Sequence, residues 1–401
     1  MYIMVSVYLH QLSGVSNMKR ILLLLALSAF ILTGAEQKAA LKEKEQKIEK
    51  SAPAQKKKIN YFPNLKKPAL ENPQSWTMVV VPDTQAYVCK RANHGILNMM
   101  CAWMVYNKQI LNIRQVLFTG DLVYQNNIGK VRHNKHDLVC EEQWQAVSRL
   151  ISRLDGRLPY ILCTGNHDYG IGTAENRHTF FNDYFKSNRN PLTREQLIEC
   201  NKNTFNMKTM ENAAFEFTAP YPDGRKFLVI TVPFAPTKQQ LAWTLRIAND
   251  PRFTDHFGII LTHSYMYGNG ERIKKEKYKL SKEGGAPGEE IYQHVVKKSK
   301  NIRMVVCGHM AAPDRWDKSV GYSETVNGAG KKVAQMLFNT QAIGGGFYGS
   351  GGDGWLRLLE FMPDGKTIKA RTFSPMFAAS PSTCHLAWKT DARNEFTFTL
   401  E

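Results

Sequence analysis

Short apolar runs alternate with amphipathic stretches along most of the chain. Six runs, Met78 to Val81, Val116 to Phe118, Tyr160 to Cys163, Phe227 to Val232, Gly258 to Leu261 and Met304 to Cys307, read as buried strands. Between them, helical stretches fit about 96–112, 141–154, 238–248 and 288–299. Beyond Lys331 the runs Val333 to Phe338, Trp355 to Phe361 and Thr367 to Phe373 make a mostly β tail, with Pro363-Asp364-Gly365 as a hairpin signal. This alternation predicts an α/β protein. No internal repeat is present.

The amino-terminal pattern is different. Met18-Lys19-Arg20 precedes an apolar or small stretch from Ile21 to Leu32, and Thr33-Gly34-Ala35 follows. A basic, apolar, small-residue order of this kind is that of a secretory signal peptide, and the apolar part falls short of the roughly 20 residues a spanning helix needs. We expect cleavage after Ala35 and a periplasmic or extracellular mature protein; the competing reading is an uncleaved anchor. No Cys follows the run, which argues against a lipoprotein. Residues 1–35 are therefore an upstream extension plus signal peptide. Residues 36–75, rich in Lys, Glu, Gln, Ala and Pro, read as a Lys-rich disordered tether whose Ala39 to Lys50 part favours a transient helix. The folded domain is expected over 76–401.

A chain of 401 residues buries enough apolar surface to fold without staples, so small disulfide-rich scaffolds are excluded. Its 53 Lys and Arg against 35 Asp and Glu give a net charge of +18, which favours acidic partners without choosing among phosphorylated small molecules, nucleic acid, anionic lipid and polyanionic polymers. Of the seven cysteines, Cys163 and Cys307 end apolar runs and read as buried thiols. Cys89, Cys101, Cys140 and Cys200 are candidates for pairing in an oxidising compartment. No C-x-x-C spacing occurs, which argues against a thiolate metal site.

Polar residues give the chain its chemistry. Five of the six strands are followed directly by an Asp, Asn, Gln or His cluster: Pro82-Asp83-Thr84-Gln85, Gly120-Asp121-Leu122-Val123-Tyr124, Gly165-Asn166-His167-Asp168, Thr262-His263 and Gly308-His309-Met310-Ala311. Strand ends of an open α/β sheet converge on one edge, where ligands bind. Carboxylate, amide and imidazole donors suit manganese, iron or zinc, and two such ions side by side can clamp a phosphoryl group and activate water. Phosphoester hydrolysis is the reaction expected. Taken singly, each cluster reads as a turn or a structural histidine.

In order, the clusters resemble the blocks of the calcineurin-like metallophosphoesterases, relatives of the purple acid phosphatases: D-x-H, G-D, G-N-H-D/E, a lone His, and G-H-x-H. The resemblance covers about Thr77 to Phe373. It is similar to a bacterial exported branch with Gln in the first block, where a later Gly352-Asp353-Gly354-Trp355 also occurs. The resemblance implies a β-sandwich flanked by helices, a four-layer αββα fold, with two divalent or trivalent metal ions. Asp83 and Gln85 would hold the first ion, Asp121 would bridge, and Asn166, His263 and His309 would hold the second. His167 would stabilise the transition state or protonate the leaving oxygen, oriented by Asp168. Gln85 and Ala311 stand where the family pattern has His, which implies a weakened first site. Tyr124 is a candidate metal ligand or substrate contact, because G-D-x-x-Y resembles the purple acid phosphatase motif.

Two further stretches bear on the pocket. The Gly-rich segment 344–352 reads as a loop able to approach a substrate, and the basic run Arg272 to Lys282 either as a stretch that steers anionic substrate or, the commoner outcome, as a solvated lid or face. His133 and His136 are candidate substrate contacts; the remaining histidines outside the blocks read as surface or structural. We expect an exported metallophosphoesterase acting on a phosphorylated small molecule or polymer. Specific nucleic-acid recognition is not expected, the tether suggests electrostatic envelope association, and the oligomeric state is left open. The rivals are a degenerate relative that binds such ligands without turnover and a basic envelope-associated interaction protein.

Overall fold

Every second residue of Trp76–Val81 points the same way, and both faces are buried. Trp76, Met78 and Val80 enter one core, while Val79 and Val81 enter another. A strand buried on both faces needs layers above and below it. The computed structural model supplies them, and it describes residues 35–50, 65–131 and 135–400. The strands are β1 (Trp76–Val81), β2 (Ile113–Phe118), β3 (Tyr160–Leu162), β4 (Leu197–Lys202), β5 (Lys208–Thr218), β6 (Lys226–Val232), β7 (Phe257–Thr262), β8 (Ile302–Cys307), β9 (Val320–Val326), β10 (Lys332–Phe338), β11 (Leu356–Phe361), β12 (Thr367–Phe373), β13 (Trp388–Lys389) and β14 (Phe396–Thr399).

They form two sheets. One runs β13-β12-β11-β1-β2-β3, with β14 also on β12; the other runs β4-β5-β6-β7-β8-β10-β9. Within the first, β1, β2 and β3 are parallel; within the second, β6, β7, β8 and β10 are. The sheets share a core that includes Trp76, Met78, Phe215, Phe227, Ile259, Met304, Met336 and Phe361. Each such buried side chain contributes roughly 1.5–3 kcal/mol. The outer face of the first sheet is covered by α1 (His94–Tyr106) and α2 (Cys140–Ile151), and that of the second by α3 (Lys238–Ala248) and α4 (Gly288–His294). This is the α/β sandwich flanked by helices.

Several details depart from the sequence expectations. The site edge is assembled from two sheets, not from one open sheet. α1 ends six residues early, where the Asn107 amide donates back to the Trp103 carbonyl at 2.9 Å and Asn112 turns left-handed at φ 45°. β5 escaped the apolar pattern because it carries the buried Glu211 and Asn212, whose polarity is met by the Tyr169 hydroxyl and the Thr231 carbonyl, both at 2.5 Å. All seven cysteines are free thiols, six of them buried, so none of the expected pairs forms; burial pushes Cys89 and Cys101 up to about 12, in the range of inert thiols.

The chain divides into two compact units, Met1–Tyr61 and Phe62–Glu401. In the first, Ala35–Lys50 is a helix. The expected signal peptide, Ala35 apart, and the Lys56-Lys57-Lys58 run lie outside the described residues. In the second, the ordered domain begins before residue 76. Trp388 and Arg371 donate to the carbonyls of Lys66 and Ala69 at 2.7 and 2.9 Å, and Ser75 donates to Glu360 at 2.5 Å. Among the described residues no helix is long and apolar enough to cross a membrane.

Candidate metal centre

The polar residues that follow β1, β2 and β3 in one sheet and β7, β8 and β10 in the other meet at the same end of the sandwich. Asp83, two residues past β1, is fully buried. Its Oδ1 accepts the Thr119 hydroxyl at 2.8 Å; its Oδ2 accepts the Asn339 amide at 2.6 Å, the His309 backbone N–H at 3.0 Å and the Gln341 amide at 3.2 Å. Burial pushes the Asp83 carboxyl up to about 7, although the nearby His263 pulls it down.

Asp121 leaves β2 in a left-handed conformation, φ 46°, unusual for a residue with a side chain. That turn brings its Oδ1 to the backbone N–H of His167 at 2.8 Å and its Oδ2 to the Gln85 amide at 2.8 Å and to Nε2 of His263 at 3.3 Å. Burial opposes its ionisation, but His263 and His167 outweigh that and hold Asp121 well below the usual carboxylate range. His309 is likewise left-handed, φ 70°. Its Nδ1 lies 3.1 Å from Nε2 of His263, which is also 3.1 Å from Oδ1 of Asn166. Donor atoms of Asp121, His263 and His309 all lie within 4.8 Å of one another.

Two glycines allow this approach. A Cβ on Gly165 would stand 2.1 Å from Oδ1 of Asp121, and one on Gly308 would stand 2.1 Å from Oδ1 of Asp83. In both motifs the glycine leaves room for a carboxylate.

His167 stands at the rim, half-buried, its ring stacked on Tyr124 with centroids 5.2 Å apart and planes at 18°. Its Nδ1 lies 2.6 Å from the Tyr124 carbonyl, which can only accept, so Nδ1 carries the proton and the neutral ring has its lone pair on Nε2. Burial lowers its pKa, though Asp121 opposes. Asp168 does not touch the ring. Its two oxygens accept the backbone N–H groups of Leu122, Val123 and Gly165 at 2.8, 3.2 and 2.8 Å, tying the β2 and β3 loops together. The Tyr124 ring is bracketed by His167, His136 and Phe347. Phe347 sits in the Gly-rich loop, so that loop does reach the pocket rim. His136 is buried with Nδ1 on the Leu138 carbonyl, whereas His133 lies outside the described residues.

Sequence reasoning missed three participants. Asn339 and Gln341 follow β10 just as the recognised clusters follow their strands, but amides without a His or carboxylate beside them read as an ordinary turn. Glu276, the one acid in the Arg272 to Lys282 run, was hidden by its neighbours. Its carboxylate lies 3.3 Å from Nε2 of His309 and accepts the Ser264 hydroxyl, and although burial opposes it, His309 keeps its pKa low. Lys274, Lys275, Lys277 and Lys279 are exposed, as expected of a solvated face.

The side chains fit metal ions. Two carboxylates, two imidazoles and an amide oxygen form a donor set that suits divalent ions, and the Gln85 Oε1, buried with no hydrogen-bond partner, has the state of an oxygen held for one. Residues 78–313 match the calcineurin-like phosphoesterase family, and the chain belongs to it. That family implies divalent metal ions. A relative in Bacillus subtilis (strain 168), the uncharacterized protein YvnB, is 27% identical over 308 residues, covering 75% of this chain and 20% of its own length; the chain thus spans about a fifth of that relative. Among solved structures, GAP50, described as the anchor in the inner membrane complex of Plasmodium, aligns with 10% identity and a TM-score of 0.38 over 82% of this chain and 89% of that one.

Proposed function

We propose that the protein is an exported phosphoesterase with a two-metal centre, hydrolysing phosphate esters of small molecules or polymers. The observation that carries this reading is the convergence of Asp83, Asp121, His263 and His309 from two sheets into one buried cluster. Asp83 and Gln85 would hold the first ion, Asp121 both, and Asn166, His263 and His309 the second, with manganese, iron or zinc as candidates. When bound, such ions supply charge stabilisation for the phosphoryl group and lower the pKa of water. This chain's own residues do the rest. The Tyr124 carbonyl fixes the His167 tautomer, Asp168 ties down the loops that present Asp121 and His167, and Glu276 orients His309 as an outer carboxylate orients a ligand imidazole. The first position, lacking an imidazole at Ala311, should hold its ion more weakly than the second.

The purified protein, screened with phosphomonoesters and phosphodiesters in the presence of added manganese, iron or zinc, should hydrolyse at least one class and lose that activity to a chelator. Tight metal binding without turnover on either class would favour the second reading, a ligand-binding relative, for which the first-site departures at Gln85 and Ala311 argue.

Export rests on the basic, apolar, small-residue order of 18–35. The mature chain should begin at or near Glu36 outside the cytoplasm, with its Lys-rich segment adding affinity for anionic envelope polymers. Amino-terminal sequencing that finds residues 18–35 retained on a cytoplasmic protein would refute it.

A further inference from the structure

Gln341 makes the same pair of statements as Gln85. Each side chain is almost fully buried, at 7% and 2% exposed, each gives its amide N–H to one of the two aspartates, and each leaves its carbonyl oxygen with no hydrogen-bond partner. A buried amide oxygen that accepts nothing is costly unless something outside the protein meets it.

The crowding at Asp83 indicates what that is. Its Oδ2 already accepts three N–H groups, more than the two lone pairs of one oxygen serve well, so a cation reaches it only if a donor gives way. The His309 donor is backbone and cannot turn. Asn339 makes the shortest of the three contacts, 2.6 Å, and its own Oδ1 is occupied by the Gln341 backbone N–H at 3.2 Å. Gln341 makes the longest, 3.2 Å, and its other end is unpartnered. Turning its amide over removes the weakest donor and delivers an oxygen in its place.

We propose that Gln341 is a ligand of the first cation, and that with Asp83, Gln85 and Asp121 it makes that position an all-oxygen site selecting a hard divalent ion such as manganese over zinc. The inference rests on the two-metal reading above. Both imidazoles are otherwise engaged: His263 lies between the aspartates, but its Nδ1, 3.8 Å from Asp83, faces the Thr119 carbonyl at 2.8 Å and its Nε2 meets Asp121 and Asn166, while Nε2 of His309 meets Glu276, and Ala311 offers no donor. Oxygen donors suit magnesium, calcium and manganese, whereas imidazoles suit zinc and iron, so the two positions differ in the ion they prefer.

The test uses the full chain, stripped of metal, loaded with one equivalent of zinc and then titrated with manganese. Free manganese is followed by electron paramagnetic resonance and bound metals by elemental analysis, with thermal melts to check folding. Wild type should take up one manganese beside the zinc. Gln341→Leu should weaken that manganese by about tenfold or more while keeping its zinc, in line with the loss of a ligand or its support. Gln341→Glu, which retains an oxygen and adds charge, should bind manganese at least as tightly as wild type and covers the case in which the leucine variant misfolds. Ala311→His should shift the first position towards zinc. Manganese affinity within about twofold of wild type in folded Gln341→Leu, weaker manganese binding in Gln341→Glu, or a second zinc displacing manganese from wild type would each overturn the assignment. Wild type that binds neither metal would instead remove the two-metal reading on which it stands.

Discussion

Asp121→Ala should lose bound metal and hydrolysis together. Its carboxylate links elements of both sheets: one oxygen holds the His167 backbone, the other meets the Gln85 amide and His263. Removing the carboxylate deprives both ion positions of a shared anion and leaves His263, now raised to about 10 by Asp121 and Asp83 against the effect of its burial, with one counter-charge fewer. A cation at such a centre supplies several kcal/mol of charge stabilisation. At about 1.4 kcal/mol per tenfold, turnover should fall by about 10³-fold or more. Elemental analysis and initial rates on the same preparations check this; a variant that keeps both ions and most of its rate would exclude a bridging role.

The left-handed backbone at Asp121 sets where its carboxylate reaches. A non-glycine residue at φ 46° costs of order 1–3 kcal/mol and persists only where its surroundings impose it. Here the imposing contacts are Asp168 on the next two N–H groups and the Gln85 N–H on the Asp121 carbonyl at 2.9 Å. Asp121→Asn should therefore keep the backbone path while losing charge, and its metal loss would measure the charge alone.

Much of this centre is legible in the sequence, for a physical reason. Parallel strands present their carboxyl ends together, so Asp83, Asp121 and Asn166 gather at the end of one sheet and His263 and His309 at the end of the other; that the two ends face each other follows from how the sheets stack, which the pattern does not carry. What the pattern hid were residues whose chemistry depends on long-range pairing. Asn339 and Gln341 are amides in an ordinary-looking exit from a strand, and only the 256- and 258-residue jumps back to Asp83 give them meaning. Glu276 looked like one more member of a solvated charge run. Asp168 shows the converse: its place beside His167 in sequence suggested an orienting partner, but its carboxylate binds the backbone of Leu122, Val123 and Gly165, and the Tyr124 carbonyl holds the ring instead. β5 was missed because polar residues met by partners across the sheet do not advertise burial.

His167→Ala should separate chemistry from metal binding. The ring is held by the Tyr124 carbonyl and by stacking on the Tyr124 ring, and its link to the cluster runs through backbone, from its N–H to Asp121. Alanine keeps that N–H, so metal content should stay near wild type. Turnover should nevertheless fall by roughly 10² or more, the range for a positioned general acid or base. The size of the fall should depend on the substrate. The proton for the leaving oxygen comes from Nε2 of the doubly protonated ring, Nδ1 staying on the Tyr124 carbonyl, so an ester whose leaving oxygen is already a weak base should lose little, whereas an alkyl ester should lose most. Tyr124→Phe serves as control, since it keeps both the carbonyl and the stacking ring and should retain the His167 contribution. A fall in metal content equal to that of Asp121→Ala, or the same loss of rate for good and poor leaving groups, would show that His167 acts as a ligand or a packing residue and not on the leaving group.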